Sequence, residues 1–172
     1  MRSFETVTSS DPVEGIERGP AIVGSRVELQ LLTTLRCNLR CSYCSLGVGE
    51  VLGSRRKVSY SLEALDAFIR KHLAGYEIYV TFYGGEPTLN LGFITAVMER
   101  YPGFRFQLQT NGTLLAKLSN ILVSIDGGER VTDGHRGCGI YRRVLKNIGA
   151  VRDRIGGTLT ARVTWNDEDT TF

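Results

Sequence analysis

The 172-residue chain lacks any long apolar run, any secretion signal and any extended basic cluster. No segment approaches the roughly 18 uninterrupted apolar residues that a membrane helix needs, and no charged stretch followed by an apolar one opens the chain. The net charge is only +3, and the basic residues are dispersed apart from Arg55-Arg56-Lys57, which we expect to be a solvated loop. The sequence therefore predicts a protein that binds neither membranes nor nucleic acids.

Cysteine is also scarce, but three of the four cysteines lie close together. Cys37, Cys41 and Cys44 are spaced C-x3-C-x2-C directly after the apolar run Leu29–Leu35, which has the pattern of a strand. Three thiolates on one short loop can hold three irons of a cubane iron–sulfur cluster, whereas an electron-transfer cluster normally takes four cysteines. The fourth iron then stays open for a substrate-like ligand, so the spacing predicts a reactive, metal-binding iron–sulfur centre.

A zinc site is the alternative interpretation of the same cysteines. Three thiolates and a fourth ligand, such as Cys138 or His135, would satisfy the tetrahedral preference of zinc. Zinc ligands usually come as two short pairs, which this chain lacks, so the spacing favours the cluster.

Strand-like and helix-like segments alternate along the chain. Ser61 is a polar cap for the first helical pattern, in which apolar residues such as Leu65 and Ile69 recur at helical spacing. Such alternation predicts parallel strands joined by helices, and hence an α/β fold. The candidate strands are 28–34, 78–83, 104–109, 121–125 and 158–164, and the candidate helices are 61–74, 89–100, 113–119 and 140–154.

The N-terminal segment shows no sustained periodicity. We expect a loose arm over residues 1–26, with a short strand near Ala21–Val23 as its candidate element. The remainder, residues 27–172, is long enough to bury one sizeable core in a chain with 42% hydrophobic residues. The sequence thus predicts an N-terminal arm and one core domain.

Polar motifs follow three further strand candidates. Gly84-Gly85-Glu86-Pro87 follows the second, Thr110-Asn111-Gly112 the third, and Ser124-Ile125-Asp126-Gly127 closes the fourth. Each motif could be a simple tight turn, because glycine permits positive φ and proline fixes the next segment. Like the cysteine loop, however, all three come at carboxyl ends of predicted parallel strands, where α/β sheets and barrels bind ligands.

In this order the motifs resemble those of the radical S-adenosylmethionine (SAM) superfamily. They are similar to the branch that includes anaerobic sulfatase-maturating enzymes and SPASM-type peptide-modifying proteins, as is the segment Asp133-x-x-Arg136. The resemblance covers about residues 28–165. It implies a partial (β/α) barrel of parallel strands with outer helices, and an oxidoreductase that carries a [4Fe–4S] cluster and SAM.

The resemblance also implies a reaction and its partners. An electron from the reduced cluster would cleave SAM to methionine and a 5′-deoxyadenosyl radical, which abstracts hydrogen from the substrate. The candidate substrate is a peptide or protein side chain, and the electron donor would be a protein such as a flavodoxin or ferredoxin. Cluster thiolates must stay reduced, which together with the missing secretion signal favours a cytoplasmic location.

The site residues follow from the same resemblance. The metal ligands would be Cys37, Cys41 and Cys44. The amino group of SAM would be held by Gly84, Gly85, Glu86 and Pro87, and its carboxylate by Arg136. Tyr43 would border the adenine. The ribose or methionyl moiety would be contacted by Asn111, Ser124 and Asp126. Tyr43 could equally pack in the core, and Asp133 and Arg136 could be solvated loop charges.

The number of strands departs from the family pattern. The family usually builds six strand units, whereas only about five precede Phe172, and Cys138 is the one cysteine beyond the triad. We expect an open lateral edge that a partner chain, a second copy of this chain or the arm 1–26 covers, or a truncated gene product in which it stays open. The alternative function is a non-catalytic Fe–S or zinc-binding subunit or a degenerate remnant.

Overall fold

A computed structural model of the protein describes residues 26–44, 58, 60–115 and 120–164. Within these residues, five parallel strands form one sheet in which neighbours in sequence are also neighbours in space. The strands are β1 (Arg26–Thr34), β2 (Glu77–Gly84), β3 (Arg105–Thr110), β4 (Ile121–Ser124) and β5 (Leu159–Arg162). The helices are α1 (Leu62–His72), α2 (Leu91–Arg100), α3 (Glu129–Arg136) and α4 (Ile140–Val151), with 3₁₀ turns at Pro87–Asn90 and Arg152–Arg154.

This arrangement confirms the predicted α/β fold with parallel strands. All five strand candidates are strands, and the helices predicted over 61–74, 89–100 and 140–154 are present. The helix predicted over 113–119 is wrong in its described part: residues 113–115 are not helical, and 116–119 lie outside the described residues. Ala21–Val23, Arg55–Lys57 and nearly all of the predicted arm also lie outside them. The division into arm and core stays a prediction.

Helix α3 has a polar buried face, so hydrophobic periodicity does not reveal it. Its buried residues are Thr132 and Arg136, and no apolar stripe marks the helix. Asp133, at the outer side of this helix, accepts hydrogen bonds from the backbone N–H groups of Gly139 (2.6 Å) and Tyr141 (2.8 Å). The Asp133 carboxylate therefore caps the start of α4 and fixes the turn between the two helices.

One face of the sheet is apolar and is covered by helices α1, α2 and α4. Each helix contributes two buried aliphatic residues to one cluster with the strands. In α1 these are Leu65 and Ile69, and Ser61 is the N-cap of this helix. Phe82, Leu108 and Ile121 have no exposed surface. Burying each such side chain contributes roughly 1.5–3 kcal/mol to folding, so this face holds the sheet together.

The opposite face of the sheet carries a group of polar residues on β1, β2 and β3. Thr81 on β2 donates a hydrogen bond to Glu28 on β1 (3.0 Å) and lies 3.4 Å from the side-chain oxygen of Gln107 on β3. Because side chains alternate along a strand, these residues lie on the face away from the helix-covered cluster. The two faces of this sheet therefore differ in chemistry, as expected for a barrel wall with an outer packed face and an inner polar one.

Strand β5 is an edge strand within the described residues. It pairs with β4 on one side, and all four of its residues are exposed. Leu159 and, just beyond the strand, Val163 keep 37% and 51% of their surface exposed. Among the described residues this edge carries exposed apolar side chains, and whether it is open or covered stays a prediction. Among the described helices, none has the length and apolarity to span a membrane.

An ionic cluster ties the outer helices α1 and α2 together. Asp66 on α1 is buried and accepts hydrogen bonds from Arg100, the last residue of α2, and from the hydroxyl of Tyr101. Burial and the Asp66 contact raise the pKa of Tyr101 to about 12, so the phenol stays protonated and donates at neutral pH. This cluster is a structural link on the outside of the sheet.

Candidate active site

The cysteine loop begins where β1 ends and is held by backbone hydrogen bonds. Ser42 N–H donates to the carbonyl oxygen of His135 at the end of α3 (2.9 Å), and Cys44 N–H donates to the Cys41 carbonyl (3.1 Å). Cys37, Cys41 and Cys44 are half-buried, whereas Cys138 is exposed. The loop is thus attached to the end of helix α3. Cys138 differs from the three loop cysteines because it is exposed.

The three thiols influence one another electrostatically. Burial raises the pKa of Cys37, with opposing contributions from the Leu39 N–H and the Asn111 amide. Burial also raises the pKa of Cys41, and the Arg136 charge opposes it. Cys44 adds to the upward shift of both other thiols, which places all three within electrostatic reach of one another. The Arg136 charge favours the thiolate form of Cys41, which is the form that a metal needs.

The Gly84-Gly85 turn packs directly on the start of the cysteine loop. Gly85 N–H donates to the Thr34 carbonyl and Glu86 N–H to the Arg36 carbonyl, both at 2.8 Å. Gly84 has φ of +146°, and a Cβ there would lie 2.2 Å from the Thr34 oxygen; a Cβ on Gly85 would lie 2.2 Å from the Arg36 oxygen. Both positions require glycine, because any side chain would push the β2 turn away from the loop.

Glu86 is a fully buried carboxylate that joins the ends of β2 and β3. Its Oε1 accepts hydrogen bonds from the Thr88 N–H (3.1 Å), the Thr88 hydroxyl (2.6 Å) and the Thr110 hydroxyl (2.8 Å). Its Oε2 accepts one, from the Asn111 N–H at 2.8 Å. Pro87 follows as the first residue of a 3₁₀ turn. The carboxylate is therefore stabilised by neutral donors, and Oε2 is the oxygen with remaining acceptor capacity.

Asn111 connects the end of β3 to the cysteine loop. Its Nδ2 donates to the side-chain oxygen of Asn38 (2.8 Å) and lies 3.7 Å from the Cys37 sulfur. Its Oδ1 accepts from the N–H (3.0 Å) and the hydroxyl (2.7 Å) of Thr113. At residues 113–115 this local turn takes the place of the predicted helix, because the side chain competes with helical hydrogen bonds for the backbone.

Asp126, Arg136 and Tyr43 form a buried cluster after β4. Arg136 donates from Nε to Asp126 Oδ2 (2.6 Å) and from Nη2 to Oδ1 (3.0 Å), a bidentate pair, and Nη2 also donates to the Tyr43 hydroxyl. Tyr43 donates in turn to Asp126 Oδ2 at 2.7 Å. The Asp126 side chain is fully buried and that of Arg136 is 5% exposed. Two residues predicted separately as cofactor contacts therefore bind each other.

Electrostatics and neighbours reinforce this cluster. Burial alone would raise the pKa of Asp126, but hydrogen bonds from Arg136 and Tyr43 hold it below its usual range. Burial and the Asp126 contact raise the pKa of Tyr43. The backbone N–H of Thr164, just after β5, donates to Asp126 Oδ1 at 3.1 Å. His135 packs edge-on against the Tyr43 ring, with ring centroids 5.3 Å apart, and its Nδ1 lies 3.6 Å from Asp126.

The structure brings most of the predicted site residues to one edge of the sheet. The cysteine loop contacts the Gly84–Pro87 turn, Asn111, Asp126 and Arg136 through the hydrogen bonds given above. Ser124, the last residue of β4, is half-buried and takes part in none of those hydrogen bonds. A cavity of about 230 Å³ lies at the amino ends of the strands, beside residues such as Arg26, Arg105 and Asn120, and none of the predicted site residues lines it.

Sequence reasoning missed the polar residues that support these side chains. Thr88 and Thr113 each follow a site residue by two positions and hydrogen-bond to it, a spacing typical of local side-chain turns. That spacing is a usable signal. Asn38 donates to Thr113 (2.8 Å) across the site, and nothing in its local sequence marks this long-range contact.

Three cysteine thiols on one loop are donors of the kind that an iron–sulfur cluster takes. Among the described residues, no three His, Cys, Asp or Glu side chains are grouped so that they could hold a single metal ion. A cubane places one thiolate on each of several irons, so its ligands need not converge on one point. Soft sulfur donors suit such a cluster, and the positive charge of Arg136 lies near Cys41. The metal role of the three cysteines itself stays a prediction.

Taken together, the fold and the site define an α/β protein whose ligand groups lie at the carboxyl edge of a parallel sheet around a three-cysteine loop. The chain belongs to the Radical SAM superfamily, whose family model matches residues 31–169. This result confirms the resemblance inferred from the motifs. The family uses a [4Fe–4S] cluster and SAM, in agreement with the predicted cofactors.

Solved structures with a similar fold include native anSMEcpe with bound AdoMet, which is another abbreviation for SAM. That protein is 23% identical in sequence to this chain, with a TM-score of 0.57. The match covers 79% of this chain and 43% of that chain. Native anSMEcpe with bound AdoMet and Kp18Cys peptide is likewise 23% identical, with a TM-score of 0.61, over 79% of this chain and 42% of that chain. The structure of native anSMEcpe with bound AdoMet and Cp18Cys peptide is 23% identical, with a TM-score of 0.59. This match covers 78% of this chain and 42% of that chain. A search of curated proteins found no match.

These likenesses establish the fold as a partial (β/α) barrel, as predicted. This chain spans less than half the length of the anSMEcpe chains. The activity and substrates of a whole protein are therefore matters for proposal.

Proposed function

We propose that this chain is a radical SAM enzyme that holds a [4Fe–4S] cluster on Cys37, Cys41 and Cys44 and binds SAM beside it. The observation that supports this most is the meeting of the cysteine loop with the ends of three further strands. The Gly84–Pro87 turn after β2 donates hydrogen bonds to the loop backbone. The Asn111 side chain donates to the Cys37 sulfur, and Asp126 accepts a hydrogen bond from the Tyr43 hydroxyl. The chemistry that the cofactors supply when bound is reductive cleavage of SAM to a 5′-deoxyadenosyl radical, which abstracts hydrogen from a substrate.

Glu86 is our candidate for binding the amino group of SAM, together with Gly84, Gly85 and Pro87. The carboxylate has no exposed surface, so its charge acts in a poorly solvated environment where an ammonium partner is favoured strongly. Among the described residues Oε2 accepts one hydrogen bond, from the Asn111 N–H, and a carboxylate oxygen has capacity for a further donor. Four hydrogen bonds hold the carboxylate in one orientation, so little entropy is lost on binding.

Arg136 is our candidate for binding the SAM carboxylate. Its Nε and Nη2 are committed to Asp126 and Tyr43, whereas Nη1 donates to no group among the described residues. A guanidinium held on one side can still present its other N–H groups to an anion. Tyr43 would border the adenine, and Asn111, Ser124 and Asp126 remain candidates for the ribose or methionyl moiety; for Asn111 and Asp126 the contacts within the protein suggest a supporting role.

We further propose a peptide or protein side chain as the substrate, with a flavodoxin or ferredoxin as electron donor. The structures of anSMEcpe with bound peptides support this choice, since they share the fold and the described polar inner face of this sheet could line a peptide path. We place the enzyme in the cytoplasm, because cluster thiolates need a reducing compartment.

Anaerobic reconstitution with iron and sulfide tests the proposal. The chain should then carry about four irons and four sulfides and release 5′-deoxyadenosine from SAM under reducing conditions. Replacing Cys37, Cys41 or Cys44 by Ala should abolish both, whereas the exposed Cys138→Ala is the matched control and should retain both.

The outcomes separate the alternatives. A full iron content without any 5′-deoxyadenosine would favour a non-catalytic Fe–S subunit or remnant. One tightly bound zinc per chain, lost in Cys138→Ala as well as in the triad variants, would favour the zinc site.

A further inference from the structure

The three cysteines of the loop are not equivalent in their hydrogen bonds. The Cys37 sulfur accepts from the Leu39 N–H at 3.4 Å and from the Asn111 Nδ2 at 3.7 Å. Within the described residues, the sulfurs of Cys41 and Cys44 accept no such bond. The first cysteine therefore has a distinct environment, and the side chain that creates it comes from a different strand.

The orientation of the Asn111 amide is determined by its partners. Two donors of Thr113 occupy Oδ1, so the amide nitrogen must face the loop, where Asn38 accepts one of its hydrogens at 2.8 Å. The second hydrogen is left for the Cys37 sulfur. A flipped amide would place oxygen against oxygen at Asn38 and nitrogen against a donor at Thr113.

The backbone around Asn111 is also fixed. Its N–H donates to Glu86 Oε2, the residue is 8% exposed, and Asn147 on α4 donates to the carbonyls of Gly112 and Thr113, each at 2.9 Å. The amide is thus held in place before any ligand arrives, which is what a positioning group requires.

We propose that Asn111 is a positioning residue whose side-chain N–H donates to the Cys37 sulfur, orienting this ligand and raising the reduction potential of the cluster it holds. The inference rests on the proposed function. Reduction puts more negative charge on the thiolate sulfurs, so an N–H donor stabilises the reduced form more than the oxidised one. Hydrogen bonds to the sulfurs are a principal means by which proteins set such potentials.

The test is a redox titration of the reconstituted full-length chain, followed by electron paramagnetic resonance (EPR). Asn111→Ala should shift the midpoint potential to a more negative value at unchanged iron content. Asn147→Ala is the matched control, because Asn147 holds the same loop without touching Cys37, and it should keep the wild-type potential. Asn111→Asp, which keeps an acceptor for Thr113 but has no donor for the sulfur, should also shift to more negative values.

Each outcome decides the matter. A wild-type potential in both Asn111 variants, or an equal shift in Asn147→Ala, would overturn the inference. If Asn111→Ala folds with a native circular dichroism spectrum but assembles no cluster, while Asn147→Ala does, the positioning role is supported. A wild-type chain that holds no cluster would instead overturn the proposed function, and the inference with it.

Discussion

Two clusters in this protein contain the same three residue types, Asp, Arg and Tyr, in very different places. Asp66, Arg100 and Tyr101 join helices α1 and α2 on the outside, and the Arg100 side chain is 54% exposed. Asp126, Arg136 and Tyr43 lie at the carboxyl edge of the sheet, and the Arg136 side chain is 5% exposed. We call these the helix cluster and the mouth cluster. The residue types alone do not distinguish a surface link from a candidate active site.

The difference lies in which parts of the chain each cluster connects. The helix cluster joins two consecutive helices, so its loss would loosen only their contact. The mouth cluster joins the cysteine loop, the end of β4, helix α3 and, through the Thr164 N–H, the segment after β5. The buried Asp126 carboxylate therefore adds a side-chain contact, through the Tyr43 hydroxyl, to the backbone hydrogen bonds that hold the cysteine loop.

The largest contrast is expected when the two aspartates are removed. Asp126→Ala leaves the buried Arg136 without its counter-charge, which should cost about 3–5 kcal/mol of folding free energy and lower the iron content of the reconstituted chain. Asp66→Ala should cost less, because Arg100 can return to water, and should leave the iron content unchanged. Urea unfolding of the apo-protein and iron analysis of the reconstituted protein measure both effects. Equal losses in the two variants would remove the distinction between the clusters.

SAM affinity should distinguish the two arginines. Glu86→Ala and Arg136→Ala should each weaken SAM binding by about 1.5–3 kcal/mol, roughly ten- to a hundredfold, if each removes a charge-assisted hydrogen bond. Arg136→Lys should rescue only in part, since an ammonium cannot keep the bidentate contact with Asp126. Arg100→Ala is the control. Equilibrium binding to the reconstituted variants is the measurement, and unchanged affinity in both Glu86→Ala and Arg136→Ala would exclude these residues from the SAM site.

The next largest effect is expected from substitutions on the edge strand β5, which should change self-association of the chain. Leu159 on β5 and Leu145 on α4 are similarly exposed, at 37% and 44%, but only Leu159 lies on an edge strand. We expect the chain to self-associate through β5, so Leu159→Lys should weaken association by about 1 kcal/mol per subunit and Leu145→Lys should not. Sedimentation velocity measures this. A stable monomer that loses stability when residues 1–25 are deleted would show instead that the arm covers the edge.

The smallest expected effect is on acid stability. The pKa of Asp126 in the folded protein lies below its usual range, so the unfolded chain binds more protons in acid. The stabilisation by this carboxylate is therefore complete above about pH 4 and is lost as the pH falls further. In Asp126→Asn the decline of apo-protein stability below about pH 4 should be shallower than in wild type. If the stability of the two proteins declined in parallel as the pH falls, another group would control the loss of stability in acid.

Alternation was enough to predict the α/β fold and the strands, and motif order was enough to predict that most of the candidate site residues lie at one edge of the sheet. Each of those features leaves a local trace: an apolar run, a glycine turn or a cysteine spacing. The pairing of Asp126 with Arg136 leaves none, because the two lie on different elements and each was a plausible cofactor contact on its own. Helix α3 was missed for a related reason, since its buried face consists of Thr132 and Arg136 rather than aliphatic residues.

The central claim is that three cysteines hold a cluster with one iron open to SAM, next to groups positioned by four strand ends. The most direct test is the EPR spectrum of the reduced, reconstituted wild-type chain, recorded before and after addition of saturating SAM, with Cys138→Ala in parallel. We predict that SAM changes the spectrum in both proteins, because it coordinates the open iron without any role for Cys138. An unchanged spectrum in a chain that carries four irons would contradict the claim.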